Sequence, residues 1–448
     1  MKRAEEWGLP KNALRLKGKL MALRQNRDIA SFFSRLSIVF VFRLLAAVLN
    51  LLGLTLAARY QGVTAIGGIV MVQNAAYFLI IPIVIGVPFS IIKYLPLASP
   101  AEAKRLIGSV WTWNLLLTAG FVLLYLLLAS WFSGWTHLSP LQWTLSVTLG
   151  VALNFSTVLE AVLRAQTKFL LLGVGKMIGT AVFFVIVLLY GPKAQDFSYF
   201  IGALIANFAI FAVIAWFGSG YRSFGFSWQL SKQLYSYGAI NMVSGTLSML
   251  LFSSDLFFVN YFCSAYEVGV YSVYQVNVRN FFNLMFFEVF AVVFLPAIAQ
   301  MDKVRIYKTV RRLIPYLLPL AVATNAVLCL LLLLMYGNGY PLHWLYVLIV
   351  SVSTGFHFIY WIFNSVFTIE GNKGALLNLT VLGLPLPLLL LATVGLTMQF
   401  GIVGTMLASL LTQLVLLGTF ALFIRRRYLS GEARQTGIPS ASKEVSTN

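Results

Sequence analysis

About twelve stretches of this chain stay apolar long enough to cross a hydrocarbon layer, and the polar segments between them are brief. They fall at roughly 36–59, 64–92, 106–130, 141–163, 169–190, 197–218, 236–260, 266–296, 312–335, 341–368, 374–397 and 400–424. An α-helix needs about 20 residues to span a core of about 30 Å, which each stretch approaches or exceeds. The alternation of a membrane β-barrel is absent. The pattern therefore predicts an all-α integral membrane protein of about twelve transmembrane helices. The first stretch is too long for a secretory h-region and lacks a cleavage site, so it reads as a retained span.

Weak self-similarity predicts how the helices group. Superposing Tyr60 on Tyr261 also places Gly68 on Gly269, each near the start of the second span of a six-span unit. Further along, "IIKYLPLAS" from Ile91 meets "AVVFLPAIAQ" from Ala291 with Pro96 and Pro296 one place out of register, and a separate echo in the loops after spans 4 and 10, "QTKFLLL" from Gln166 and "GNKGALL" from Gly371, sets Lys168 against Lys373. Such echoes mark transporters built from two similar bundles. The expected organisation is a basic cytoplasmic tail over 1–35, six spans over 36–220, six more over 221–428 and a disordered cytoplasmic tail over 429–448.

Composition agrees with the pattern, since the chain is 60% hydrophobic and 10% charged, whereas soluble domains carry about 25% charged residues. The net charge of +19 could suggest a nucleic-acid partner. Its distribution excludes that, because the cations follow the positive-inside rule: loops on one side hold Lys93, Lys104, Arg105, Arg164, Lys168, Arg222, Lys232 and Lys373, the other side only Arg59 and Lys193. Both termini are thus expected in the cytoplasm and the protein in a bacterial inner membrane. In the N-terminal tail, Leu16, Leu20 and Leu23 form a stripe among lysines and arginines that suits a helix on anionic headgroups, and a solvated basic tail is the alternative. Two cysteines and three scattered histidines have no metal-ligand spacing, so no metal site and no cofactor are expected.

Ionisable residues at membrane depth are costly and mark cavities or partners. Arg43, Lys176, Asp255, Arg279 and Glu288 are such residues. At α-helical pitch Arg43 shares a face with Asn50, Lys176 with Thr180, and Arg279 with Ser272, Gln275 and Asn283. These stripes predict one cationic cavity in which Arg43, Asn50, Lys176, Gln275, Arg279 and Asn283 meet an anionic ligand, with Gln73, Asn74, Tyr77, Tyr271 and Tyr274 as further polar contacts; snorkelling of Arg43 and Lys176 to the cytoplasmic face and pairing of Arg279 with Asp255 or Glu288 are the alternatives. Guanidinium forks suit phosphate oxygens. Asp255 and Glu288 are candidates for coupling to H+ or Na+, with helix-packing ion pairs as the alternative role. Pro82, Pro88, Pro385 and Pro387 interrupt the backbone ladder and predict bends.

Two segments resemble a known family. "SDLFFVNYFCSAYEVGVYSVYQV" from Ser254, an acid late in one span and Val-Gly-Val-Tyr-Ser opening the next, is similar to the seventh and eighth spans of the polysaccharide-exporter (Wzx-type flippase) branch of the multidrug/oligosaccharidyl-lipid/polysaccharide (MOP) superfamily. "LAARYQGVTAIGGIVMVQN" from Leu56 resembles the join of the first two spans, with the usual Gly-Pro…Tyr-Gly pattern reduced to Gly62 and Gly67-Gly68. The resemblance implies two pseudo-symmetric six-helix lobes around a central cavity, as in MATE transporters, and alternating access. It implies no enzymatic activity, and as cargo a polyprenyl-pyrophosphate-linked oligosaccharide for O-antigen or exopolysaccharide synthesis. Membrane lipids and other polysaccharide-assembly membrane proteins are the implied partners. A multidrug or cation antiporter of the same fold and a non-transporting membrane scaffold are the alternatives.

Overall fold

In a computed structural model, residues 27–222, 224–285, 303–337, 339–368 and 372–424 are described, with the side chains of most of them from Val41 onward. Residues 1–26, the C-terminal tail and Glu288 lie outside the described residues, and the first helix begins at Arg27, inside the stretch 1–35 expected as a tail. Every regular element among those described is helical.

Spans 1 and 2 form one run, Arg27–Val84, broken at Gly62, whose φ of 80° and ψ of −173° no helix contains. A residue without Cβ takes that conformation at little cost, so the chain reverses with almost no loop. Span 2 resumes after Ile85–Gly86 as Val87–Tyr94, close behind Pro82 and with proline in its first turn. Spans 3 to 6 are Pro100–Leu127, Pro140–Ala165, Phe169–Tyr190 and Ser198–Ser219. Spans 3 and 4 open on capping boxes, Ser99 with Glu102 and Ser139 with Gln142, which satisfy amides that lipid cannot. Span 7 runs Trp228–Phe252 and continues as Asp255–Phe262. Span 8 comprises Ala265–Tyr271, a π-helical turn Ser272–Asn277 and Val278–Met285. Spans 9 and 10 are Lys303–Tyr336 and Trp344–Thr368. Spans 11 and 12 are Asn372–Gly383 with its continuation Leu386–Ile424, which breaks again at Gly401. The expected bends occur beside Pro82 and beside Pro385 and Pro387.

The hydrophobic cores show how the lobes meet. Toward the face that carries the loop cations, here the basic face, there are two separate cores. One gathers Ile91, Ile107, Val158 and Phe211 of the N-terminal half, the other Tyr307, Tyr360, Val381 and Phe420 of the C-terminal half. Toward the opposite face a single core joins Ile66, Phe183 and Phe200 to Tyr271, Leu332 and Met406. The lobes share one core at the opposite face, whereas at the basic face their cores are separate and span 7 joins the N-terminal one through Leu234. Lys168 closes the end of span 6, its ammonium donating to the Gly218 and Ser219 carbonyls at 2.9 and 3.0 Å, a favourable place for a cation.

Inside the N-terminal lobe Asn114 and Asn154 exchange amide hydrogen bonds of 3.0 and 3.1 Å, and Asn154 also donates to Thr118 at 3.0 Å. This network ties span 3 to span 4. Asn154→Leu is expected to lower stability by about 1–2 kcal/mol, because it leaves the Asn114 amide buried without its partner. Thermal unfolding of the purified protein in detergent checks this.

Two close crossings connect the lobes along span 2. Toward the opposite face a Cβ at Gly269 would lie 2.1 Å from the Val63 carbonyl oxygen, so spans 2 and 8 touch backbone to backbone. Gly67 faces Gly269 there, which brings into contact the region that the internal repeat equates. Toward the basic face a Cβ at Gly238 would lie 2.3 Å from the Ile85 oxygen. Around that crossing Ser90 donates to the Leu234 carbonyl at 2.6 Å and the Lys93 ammonium sits 3.9 Å from the Tyr237 ring centroid.

Candidate functional site

Between the lobes lies a cavity of about 420 Å³, lined from spans 1, 2, 4, 5, 6, 8 and 9. Its wall carries Arg43 and Lys176 and otherwise amides, hydroxyls and apolar or aromatic groups, among them Asn50, Gln73, Tyr77, Thr180, Asn207, Asn277, Asn280 and Tyr336. No Asp or Glu lies on this wall among the described residues. Of the predicted binding residues, Arg43, Asn50 and Lys176 therefore share one chamber, together with Gln73 and Tyr77.

The cations converge on an acid that the sequence reading passed over. Glu160 stands one turn beyond the cavity-lining Ser156 on span 4, toward the basic face. Its Oε1 accepts from Arg43 Nη2 at 2.6 Å and also from Arg164 Nη2, one turn further along its own helix. Lys176 Nζ pairs with its Oε2. Three cations around one carboxylate leave a local excess of positive charge at the basic-face end of the cavity. The legible signal was an acid within an apolar span followed four residues later by Arg164, a spacing that puts the two on one helix face.

The other half of the predicted site lies elsewhere. Arg279 does not line the cavity: its guanidinium forks onto Asp255, Nη1 to Oδ2 at 2.9 Å and Nη2 to Oδ1 at 3.5 Å. The Tyr271 hydroxyl donates to the same Oδ2 at 2.6 Å. Both charged side chains are less than a tenth exposed. The expectation that Arg279 joins Arg43 and Lys176 in one wet chamber is thus corrected. The physical reason is the π-helical turn. At α-helical pitch Tyr271 and Arg279, eight residues apart, would point about 80° away from each other. The wider turn removes rotation, so both reach Asp255 across the break of span 7. Gln275 is redirected too, donating to the Ser409 hydroxyl of span 12 at 2.9 Å, and Asn283 is not on the cavity wall. In their place Asn277 and Asn280 face the chamber. Tyr274 is likewise engaged, its hydroxyl donating to the Pro341 carbonyl at 2.6 Å, and Asn74 donates to the Ser253 carbonyl at 2.9 Å. Among the described residues no group of His, Cys, Asp and Glu is arranged to hold a metal ion.

Two helical lobes around a polar interlobe chamber define an all-α membrane protein of MOP-like architecture. Residues 97–342 match the family model described as polysaccharide biosynthesis protein, more than half of the chain, and the chain belongs to that family. The resemblance to the polysaccharide-exporter branch holds. Among solved structures it is similar to the lipid II flippase MurJ in an inward closed conformation, with 15% identity, 87% of each chain covered and a TM-score of 0.64. It is also similar to an inward-facing multidrug resistance MATE family transporter of the MOP superfamily, with 12% identity, 90% of this chain and 100% of the other covered and a TM-score of 0.62. A third is the Vibrio cholerae MATE transporter VcmN in its bent form, with 16% identity, 89% and 98% covered and a TM-score of 0.55. At these identities the likeness establishes the fold. No curated protein matches the chain.

Proposed function

We propose that this protein carries a polyprenyl-pyrophosphate-linked oligosaccharide from the cytoplasmic to the outer leaflet of a bacterial inner membrane, by alternating access of the halves 36–220 and 221–428. One observation carries the reading: Arg43 and Lys176 at the basic-face end of an interlobe chamber whose remaining polar wall is amide and hydroxyl. Phosphate oxygens suit the cations, and sugar hydroxyls suit Asn50, Gln73, Asn207, Asn277 and Asn280. The positive-inside rule puts the basic face, and with it the tails, in the cytoplasm, so the cationic end is the one that meets a cytoplasmic substrate first. A multidrug antiporter that takes organic cations is less well supported, because its chamber would want acids on the wall. Energy coupling to H+ or Na+ is retained as part of the proposal. At Asp255 it would require opening a carboxylate already neutralised by Arg279.

The test is a doubly substituted protein, Arg43→Gln/Lys176→Gln, reconstituted in proteoliposomes with a short-chain fluorescent lipid-linked sugar. Hydrogen bonds to charged groups contribute about 1.5–3 kcal/mol each, so loss of both is expected to weaken binding by about 100-fold or more and to stop translocation. Translocation at the wild-type rate, at equal protein per liposome, would refute the assignment.

A further inference from the structure

Glu160 is the charged group near the chamber that the transport reading leaves without a task. It is 16% exposed, and both its oxygens are occupied, Oε1 by Arg43 at 2.6 Å and by Arg164, Oε2 by Lys176. The cations proposed to receive a pyrophosphate are therefore already holding an anion. That anion is covalently fixed beside them and cannot diffuse away.

Any ligand phosphate must compete with it, and the chemistry of the competition is uneven. A phosphodiester, such as the headgroup of a bilayer phospholipid, offers one negative charge shared by two free oxygens, which is what the carboxylate offers. Exchanging one for the other gains little and leaves an acid at membrane depth short of partners, a costly arrangement. A pyrophosphate diester brings two charges and twice as many free oxygens, so it can outbid the carboxylate for Arg43 and Lys176. Arg164 makes the exchange tolerable: it sits on the same helix one turn away, is 41% exposed and stays beside Glu160 whatever the other two cations do.

We propose that Glu160 is the resident counter-anion of the pyrophosphate site, displaced from Arg43 and Lys176 when a lipid-linked pyrophosphate binds and reclaiming them as it leaves. The proposal rests on the transport reading and adds two properties to it. The empty site ignores the singly charged phosphates that surround it in the bilayer, a form of discrimination built from an unfavourable exchange as much as from an attractive contact. The loaded site also binds less tightly than three bare cations would, and a translocation site must let go as well as capture.

The experiment compares wild type, Glu160→Gln and Glu160→Gln/Arg164→Gln, all full-length in nanodiscs. The double variant removes one cation with the acid, so its cluster keeps the wild-type net charge and it remains informative if the single variant misfolds. A short-chain prenyl-pyrophosphoryl N-acetylglucosamine is titrated first in phosphatidylcholine discs and then in discs containing phosphatidylglycerol, and turnover is measured in proteoliposomes. Both variants are expected to bind the probe about tenfold tighter or more in phosphatidylcholine. They are expected to lose most of that gain in phosphatidylglycerol, to which the wild type responds little, and to turn over more slowly. Unchanged or weaker binding by the variants, beside normal binding by the wild type, would overturn the proposal, since Glu160 would then only hold Arg43 and Lys176 in place. A gain confined to the single variant would overturn it too, because net charge and not vacated donors would carry the effect. Absence of probe binding by the wild type itself would bring down the transport reading, and the proposal with it.

Discussion

Arg279→Ala is expected to destabilise the protein by about 3–5 kcal/mol and to leave the affinity of the chamber for its ligand near the wild-type value. Asp255 and Arg279 are almost wholly buried, and the guanidinium supplies two of the hydrogen bonds that the carboxylate receives. Truncating one member strands a buried charge without its partner, which is why the loss exceeds the net worth of the pair. Tyr271, donating to the same oxygen, cannot replace a positive charge. The companion variant Asp255→Asn/Arg279→Met removes both charges, keeps an acceptor for Tyr271 and fills a similar volume. It should recover stability to within about 1–2 kcal/mol of wild type. Thermal unfolding of the three proteins in one detergent, with ligand titrations below the transition, separates the outcomes. A stable Arg279→Ala protein with no ligand binding would return Arg279 to the chamber.

The second large effect is expected at the crossings of span 2, and its sign differs between them. Gly238→Val drives a side chain into the Ile85 carbonyl, 2.3 Å from where its Cβ would stand, and forces span 7 away from span 2 at the basic face. Gly269→Val meets the Val63 carbonyl at 2.1 Å and forces span 8 away at the opposite face, where Arg59 also donates to the Met335 carbonyl at 2.8 Å. Overpacking of this kind costs about 1–3 kcal/mol, and each 1.4 kcal/mol is about tenfold in a population. A cysteine placed at Ser156 on the cavity wall, with Cys263 and Cys329 replaced by serine, reports the result through its alkylation by a membrane-impermeant maleimide. Gly238→Val should raise the rate about tenfold or more from the basic face, and Gly269→Val from the opposite face. Equal responses from one side would mean that these crossings do not separately close the two ends.

The chain by itself determined the membrane class, the helical spans and the bends, because length, hydropathy and proline act locally and lipid leaves long apolar stretches without alternation only the helix. It also set Arg43 and Asn50 on one face of span 1 and Lys176 with Thr180 on one face of span 5, since these lie on regular helices whose faces can be read at 100° per residue. Span 8 defeated the same reasoning. Its π-helical turn rephases everything after Tyr271, so Gln275 and Arg279 point to spans 12 and 7 while Asn277 and Asn280 enter the chamber. Glu160 was missed for a related reason: an acid's role depends on which cations reach it, and Arg43, Arg164 and Lys176 come from three different spans. Periodicity fixes which residues share a face, but only the packing of the lobes decides what that face meets, and therefore which charges are bound to one another and which remain available to a ligand.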